Sequence, residues 1–262
     1  MEAMTVNEKT HPEMQAIGLH YDRWQDAVEA AISTNQLAVT GEVRGGQLIQ
    51  FADASGAQIN ILAVEPFATF IGFESVTQGF AHVSMINDVL AYLDIIDPFG
   101  NVLAQATANL AQGPLLVDED TQQWQQVELT AMGLEVTRFD STESYEAEKG
   151  SFPASFESDG AQIVASGSGA AAPTPGCTFA ARVMESEWRH NQLTGQRFMH
   201  LVMDGVFPFD LCLPESFGEL PAKDSVLAGT AMLTASIAMP TGGCGGEGGC
   251  GCGSGGCGCG GH

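Results

Sequence analysis

The sequence predicts a mainly β protein: two antiparallel β-sandwich or barrel units, one N-terminal amphipathic helix, and a disordered Gly/Cys-rich C-terminal tail. Three observations predict it. Short runs rich in β-branched and aromatic residues follow one another closely, and Gly- or Pro-containing turns separate them. Little helical periodicity lies between these runs, which points to antiparallel all-β architecture. The last 22 residues have no apolar side chains with which to build a core.

Residues 1–20 read as a polar, flexible lead-in. From Tyr21 to Ser33 the residues Tyr21, Trp24, Ala27, Val28, Ala31 and Ile32 recur at helical spacing, with Asp22, Asp26 and Glu29 on other faces. Acids near its start suit the helix dipole, and Asn35 is a natural stop. Strands are predicted over 37–43, 47–53, 58–64, 68–74, 80–86, 91–97, 102–108, 124–131 and 134–140. The 54–57 turn (ASGA) and the 97–101 turn (DPFGN) carry the Gly that tight hairpins need. The stretch NDVLAYLDII also admits a helix capped by Asn87. The helix and these strands make a first domain, 21–140.

From Asp140 to Asp159 the character changes, opening an acidic loop and linker over 141–176. Asp140, Glu143, Glu146, Glu148, Glu157 and Asp159 are scattered among Ser, Gly and Pro, and 165–176 reads ASGSGAAAPTPG. An acidic loop followed by an interdomain linker is expected, since the acids lack the spacing of a calcium loop. A second, small barrel-like domain spans 177–239, with strands over 178–189, 197–203, 206–213 and 225–238.

The charge balance narrows the function classes. Nine Lys or Arg face 32 Asp or Glu, a formal net charge of −23. Such a surface repels phosphate backbones and anionic headgroups, so no nucleic-acid and no membrane partner is expected. No run approaches the roughly 18 apolar residues of a membrane span. The N-terminus lacks the basic start and apolar core of a signal peptide, so a cytoplasmic location is expected.

The tail, 240–262, carries five of the seven cysteines: Cys244, Cys250, Cys252, Cys257 and Cys259, with His262 as the last residue. Two Cys-x-Cys pairs place thiolates close together on a Gly backbone able to wrap an ion. Soft thiolates favour zinc and Cu(I); four of them, or three with His262, complete a tetrahedral zinc centre. Over about 20 residues the spacing resembles the Cys-x-Cys chemistry of metallothioneins, which implies a metal ligand set and nothing about the body. Competing readings are a redox role through strained vicinal disulfides, a precursor-peptide core whose Cys are cyclised to thiazoles, and a plain low-complexity extension.

Within the body, Cys177 and Cys212 read as buried and inert. Trp188, Arg189, His190, Arg197 and His200 gather the only local excess of positive charge around a predicted hairpin turn at 191–196. They form a candidate anion or partner site, set against ordinary strand residues balancing Glu185, Glu187 and Asp204. No phosphate-binding loop, dinucleotide fingerprint, nucleophile elbow or HExxH pair is present, so no enzyme is expected. The expectation is a non-enzymatic two-domain carrier whose tail binds zinc or copper. The alternative is a β adaptor or structural subunit, docking on a protein partner or forming a homo-oligomer through 66–73 and 206–209.

Overall fold

The chain is mainly β, in a computed structural model that describes residues 11–152, 154–169 and 171–238. After a short helix α1 (Pro12–Gln15) and the amphipathic α2 (Trp24–Ser33), a four-stranded meander follows: β1 (Ala38–Val43), β2 (Gly46–Ala52), β3 (Ala57–Leu62) and β4 (Ala68–Phe73). Its first hairpin turns on Arg44 and Gly45 at φ 51° and 77°, the mirror-image turn that matches strand twist.

The remaining strands form one nine-stranded sheet. Before residue 141 it takes β5 (Gly79–Met85), β6 (Leu90–Ile96), β7 (Val102–Leu110) and the long β8 (Gln122–Phe139), with a short α3 (Gly113–Leu116) between the last two. After α4 (Thr142–Lys149) come β9 (Ser155–Glu157), α5 (Asp159–Ser166), β10 (Gly176–His190), β11 (Arg197–Asp204), β12 (Pro208–Pro214) and β13 (Val226–Ile237).

The pairings close two rings that share one seam. β8 and β13 are antiparallel partners from Val226↔Phe139 to Ile237↔Val127. At one end of this ribbon the ring runs β8–β12–β11–β10–β13; at the other it runs β8–β5–β6–β7–β13. Strands from both sides of 141–176 are therefore interleaved in one sheet. Two contacts are parallel, β12 with β8 and β13 with β7, a departure from the all-antiparallel pairing expected from local hairpins alone.

Residues 141–176, expected as loop and linker, hold α4, β9 and α5. Ser141 and Ser144 form a reciprocal cap at the start of α4, and Ser158 caps α5. β9 pairs with β10, and Ser158 and Thr174 bond Thr107 of β7. The expected lead-in likewise contributes to packing from residue 11 onward: Met14, Ile17 and Leu19 are fully buried, each worth roughly 1.5–3 kcal/mol of burial. The expected break between the strands at 124–131 and 134–140 is not a break. Gly133 sits where β8 bulges against β13, and a Cβ there would lie 2.3 Å from Leu213.

Alternation in the strands builds two cores. One face of β10–β12 sends Val183, Met199, Leu201, Met203, Phe209, Leu211 and Leu213 into the larger core. The opposite face sends Phe198 and Cys212 into a second core with Met132 of β8, Phe51, Ile59 and Phe73 of the meander, and α1 and α2. The candidate site lies at the margin of that second face.

Candidate functional site

The five sequence-predicted residues of the β10–β11 hairpin divide between two faces. Register pairs Glu187 with His200 and Arg189 with Phe198, so Glu187, Arg189 and His200 look toward the meander. Trp188, His190 and Arg197 lie on the other face, where the Arg197 guanidinium stacks 4.3 Å above the Trp188 ring and its Nε reaches Glu215 at 2.6 Å. The single cluster expected from sequence is thus two arrangements, split by the two-residue period of a strand.

The face toward the meander is the more elaborate. His200 and Asp210 are both buried, and Nε2 of the imidazole lies 2.7 Å from Oδ2 of the carboxylate. Asp210 also accepts from the Val76 amide at 2.8 Å, the Thr77 amide at 3.2 Å and the Thr77 hydroxyl at 2.7 Å. An ionised carboxylate only accepts, so Nε2 donates to it, leaving Nδ1 as the ring's outward atom. Phe73 stacks on the imidazole at 5.5 Å, fixing its plane.

Nδ1 looks toward Glu187, whose Oε1 is 3.4 Å away. The same carboxylate accepts from Nε of Arg189 at 2.7 Å. Its pKa is held below the ordinary value, first by that Arg189 hydrogen bond and against the opposing pull of partial burial, with lesser help from Arg189 and His200 charge. Arg189 is itself anchored: Nη1 donates to the Ser55 carbonyl at 3.1 Å, and the guanidinium sits 5.6 Å from the Phe73 ring centroid.

Two cavities meet at this cluster. A smaller one of about 220 Å³ is lined by Val76, Glu185, Ser186, Glu187, Arg189, His200 and Val202. A more open cleft of about 530 Å³ runs between the 54–56 turn, residues 74–76 and the 187–192 end of the hairpin. Asp53 holds the cleft's two sides together, accepting from the Ser55 amide at 2.8 Å and the Gln192 amide at 2.9 Å. Ser55 is 6% exposed, and its hydroxyl has no hydrogen-bond partner among the described residues.

Sequence reasoning missed Asp210, Glu187 as part of the cluster, Phe73 and Ser55. Asp210 left one signal: a lone acid inside the apolar run VFPFDLCL demands a partner, because burying an unpaired carboxylate is costly. On β5, His82 accepts the Trp124 amide at Nδ1, 3.1 Å away.

The remaining predicted residues behave differently. Cys177 and Cys212 are buried free thiols in separate cores. Burial pushes the Cys177 thiol up to about 12; Cys212 is raised well above its ordinary value by burial, then by the neighbouring Asp210 charge. Of the apolar stretches expected at interfaces, Phe207 and Phe209 are core, as are Phe70, Ile71 and Phe73, while Phe67 is exposed. Among the described residues no group of three or more His, Cys, Asp or Glu is arranged to hold a metal ion, and no helix is long and apolar enough to cross a membrane. The metal-ligand candidates Cys244, Cys250, Cys252, Cys257, Cys259 and His262 lie outside the described residues. Compared with protein-family models, curated proteins and solved structures, the chain matches none of them.

Proposed function

We propose that the chain captures a soft metal ion, zinc or Cu(I), through Cys244, Cys250, Cys252, Cys257, Cys259 and His262, carried by a non-enzymatic cytoplasmic β body. The observation that supports this reading is the partition of the thiols. The two body cysteines are sealed in different cores with raised pKa values, so neither offers a thiolate to an ion at neutral pH. The other five stand in a Gly-rich segment as two Cys-x-Cys pairs and one outlier. Thiol deprotonation accompanies binding, so affinity falls as pH falls.

Native mass spectrometry with elemental analysis of the full chain, purified from its own cells, tests the reading. Whole-ion mass additions are expected, and they vanish when the five tail cysteines are replaced by Ser. Equal metal in that variant defeats the proposal. Loss of one water and two hydrogens per Cys defeats it in favour of a thiazole-modified tail.

A second reading, an adaptor or subunit of a larger assembly, has its own observation. Phe99 is 88% exposed and Trp124 is 50% exposed. Trp124 also holds a left-handed backbone, φ 55°, that a bulky residue rarely adopts. Light scattering coupled to size exclusion tests its homo-oligomeric form: a concentration-dependent dimer is expected, and a monomer at all concentrations removes it.

A further inference from the structure

We propose that Arg189 and His200 form a carboxylate cradle for a small amino-acid-like ligand, and that Glu187 is its resting occupant. The Glu187 Oε1 lies 2.7 Å from Arg189 Nε, which donates to it, and 3.4 Å from His200 Nδ1, which donates only in the imidazolium form because Nε2–H already serves Asp210. A ligand carboxylate would meet the same pair.

The cradle does not depend on Glu187 for its shape. His200 is set by Asp210 and by the Phe73 ring; Arg189 is set by the Ser55 carbonyl and the same ring. Glu187 is 57% exposed, and an ion pair that open to water is weakly held. When its side chain turns outward, the guanidinium and the imidazole remain in place, preorganised for another carboxylate, the imidazole donating from Nδ1 in its doubly protonated form. The 220 Å³ cavity and the 530 Å³ cleft share Val76, Glu187 and Arg189 as a common wall, so the same movement joins them around the cradle.

The walls specify the other end of the ligand. Glu185 borders the smaller cavity and Glu74 the open cleft, both exposed carboxylates. A simple anion would meet these and a chain of net charge −23. A zwitterion carries no net charge; its carboxylate suits Arg189 and His200, and its ammonium suits Glu74 or Glu185. The buried Ser55 hydroxyl, without a partner among the described residues, supplies a further polar group at the cleft wall.

Calorimetric titration of the full chain with the standard α-amino acids, with acetate and methylamine as separate arms, tests this. At least one amino acid is expected to bind the wild type. It should bind about tenfold more tightly to Glu187→Gln, which removes the competing carboxylate charge, and not measurably to Arg189→Gln. Binding of methylamine alone, or of acetate as well as the amino acid, overturns the zwitterion assignment. If Arg189→Gln does not fold, Glu187→Gln decides: unchanged or weaker binding there, or no binding of any amino acid to either protein, overturns the cradle.

Discussion

Asp210 and His200, ten residues apart on neighbouring strands, form a fully buried pair 2.7 Å long that ties the β11–β12 hairpin to residues 76–77. Asp210 is the hub, with three further donors, whereas His200 Nε2 has Asp210 alone. The two residues are therefore unequal in cost. Asp210→Ala strands the imidazole, two backbone amides and a hydroxyl, and should destabilise by about 3–5 kcal/mol. His200→Phe leaves Asp210 with its other donors and should cost about 1–3 kcal/mol. Urea unfolding of both variants checks the order; equal losses would show that the amide contacts contribute little.

Gly160 supports a second prediction. It lies in the first turn of α5, and a Cβ there would sit 2.2 Å from both Thr107 Oγ1 and the Thr174 carbonyl. Nothing flexible can yield, since one neighbour is backbone and the other is held by Ser158 and Thr174. Gly160→Ala should cost about 1–3 kcal/mol by overpacking. Gly79→Ala, with nothing within 4 Å of its Cβ, should fall within about 0.5 kcal/mol of wild type. Thermal melts of the pair separate close packing from a general intolerance of lost glycines.

These elements show what a sequence can carry. The strands of the meander and the 97–101 turn are legible because alternation and turn chemistry are local. The lead-in is not, because Met14, Ala16, Ile17 and Leu19 fall in a segment too short for a period to emerge. α4 buries none of its residues, so no apolar stripe announces it, and its cap uses Ser144 where the usual signature has Glu or Gln. The ring closures join β8 to β12 and β13 across about 80–110 residues, a relation no local pattern encodes. In the site, residue types around 188–200 are visible, but which of them share a face follows from strand register, and Asp210, a lone acid in an apolar run, finds its partner only through strand pairing.

Asp97 gives a pH-dependent prediction. Its carboxyl accepts from the Asn101 side chain at 2.8 Å and from the Phe99 and Asn101 amides at 2.8 and 2.9 Å. These bonds, the Asn101 side chain first, hold its pKa below the ordinary 3.8. Unfolding returns it to 3.8. The ionised turn therefore contributes its full stability above that value and loses it as pH falls through the lower folded value. Asp97→Asn keeps an acceptor but not the charge. Its melting temperature should fall below wild type at neutral pH, and the gap should close in acid. A gap independent of pH would assign the effect to geometry rather than charge.

The buried thiols set the opposite limit, at alkaline pH. Folding holds Cys177 protonated up to about 12, while the unfolded thiol ionises near 9. Between these values the folded state binds one more proton than the unfolded state, so stability falls as pH rises. The slope is about 1.4 kcal/mol per pH unit for each such thiol. Cys212 adds a second loss of the same sign, its pKa being raised by the same burial. Wild type should lose urea resistance steadily above pH 9, and Cys177→Ala should lose it less steeply while starting from a lower value because of the cavity it leaves. Thiol titration under native conditions should leave these two cysteines unreacted until denaturant is added. A wild-type and Cys177→Ala pair with parallel pH profiles would mean that water reaches Cys177 in the folded state.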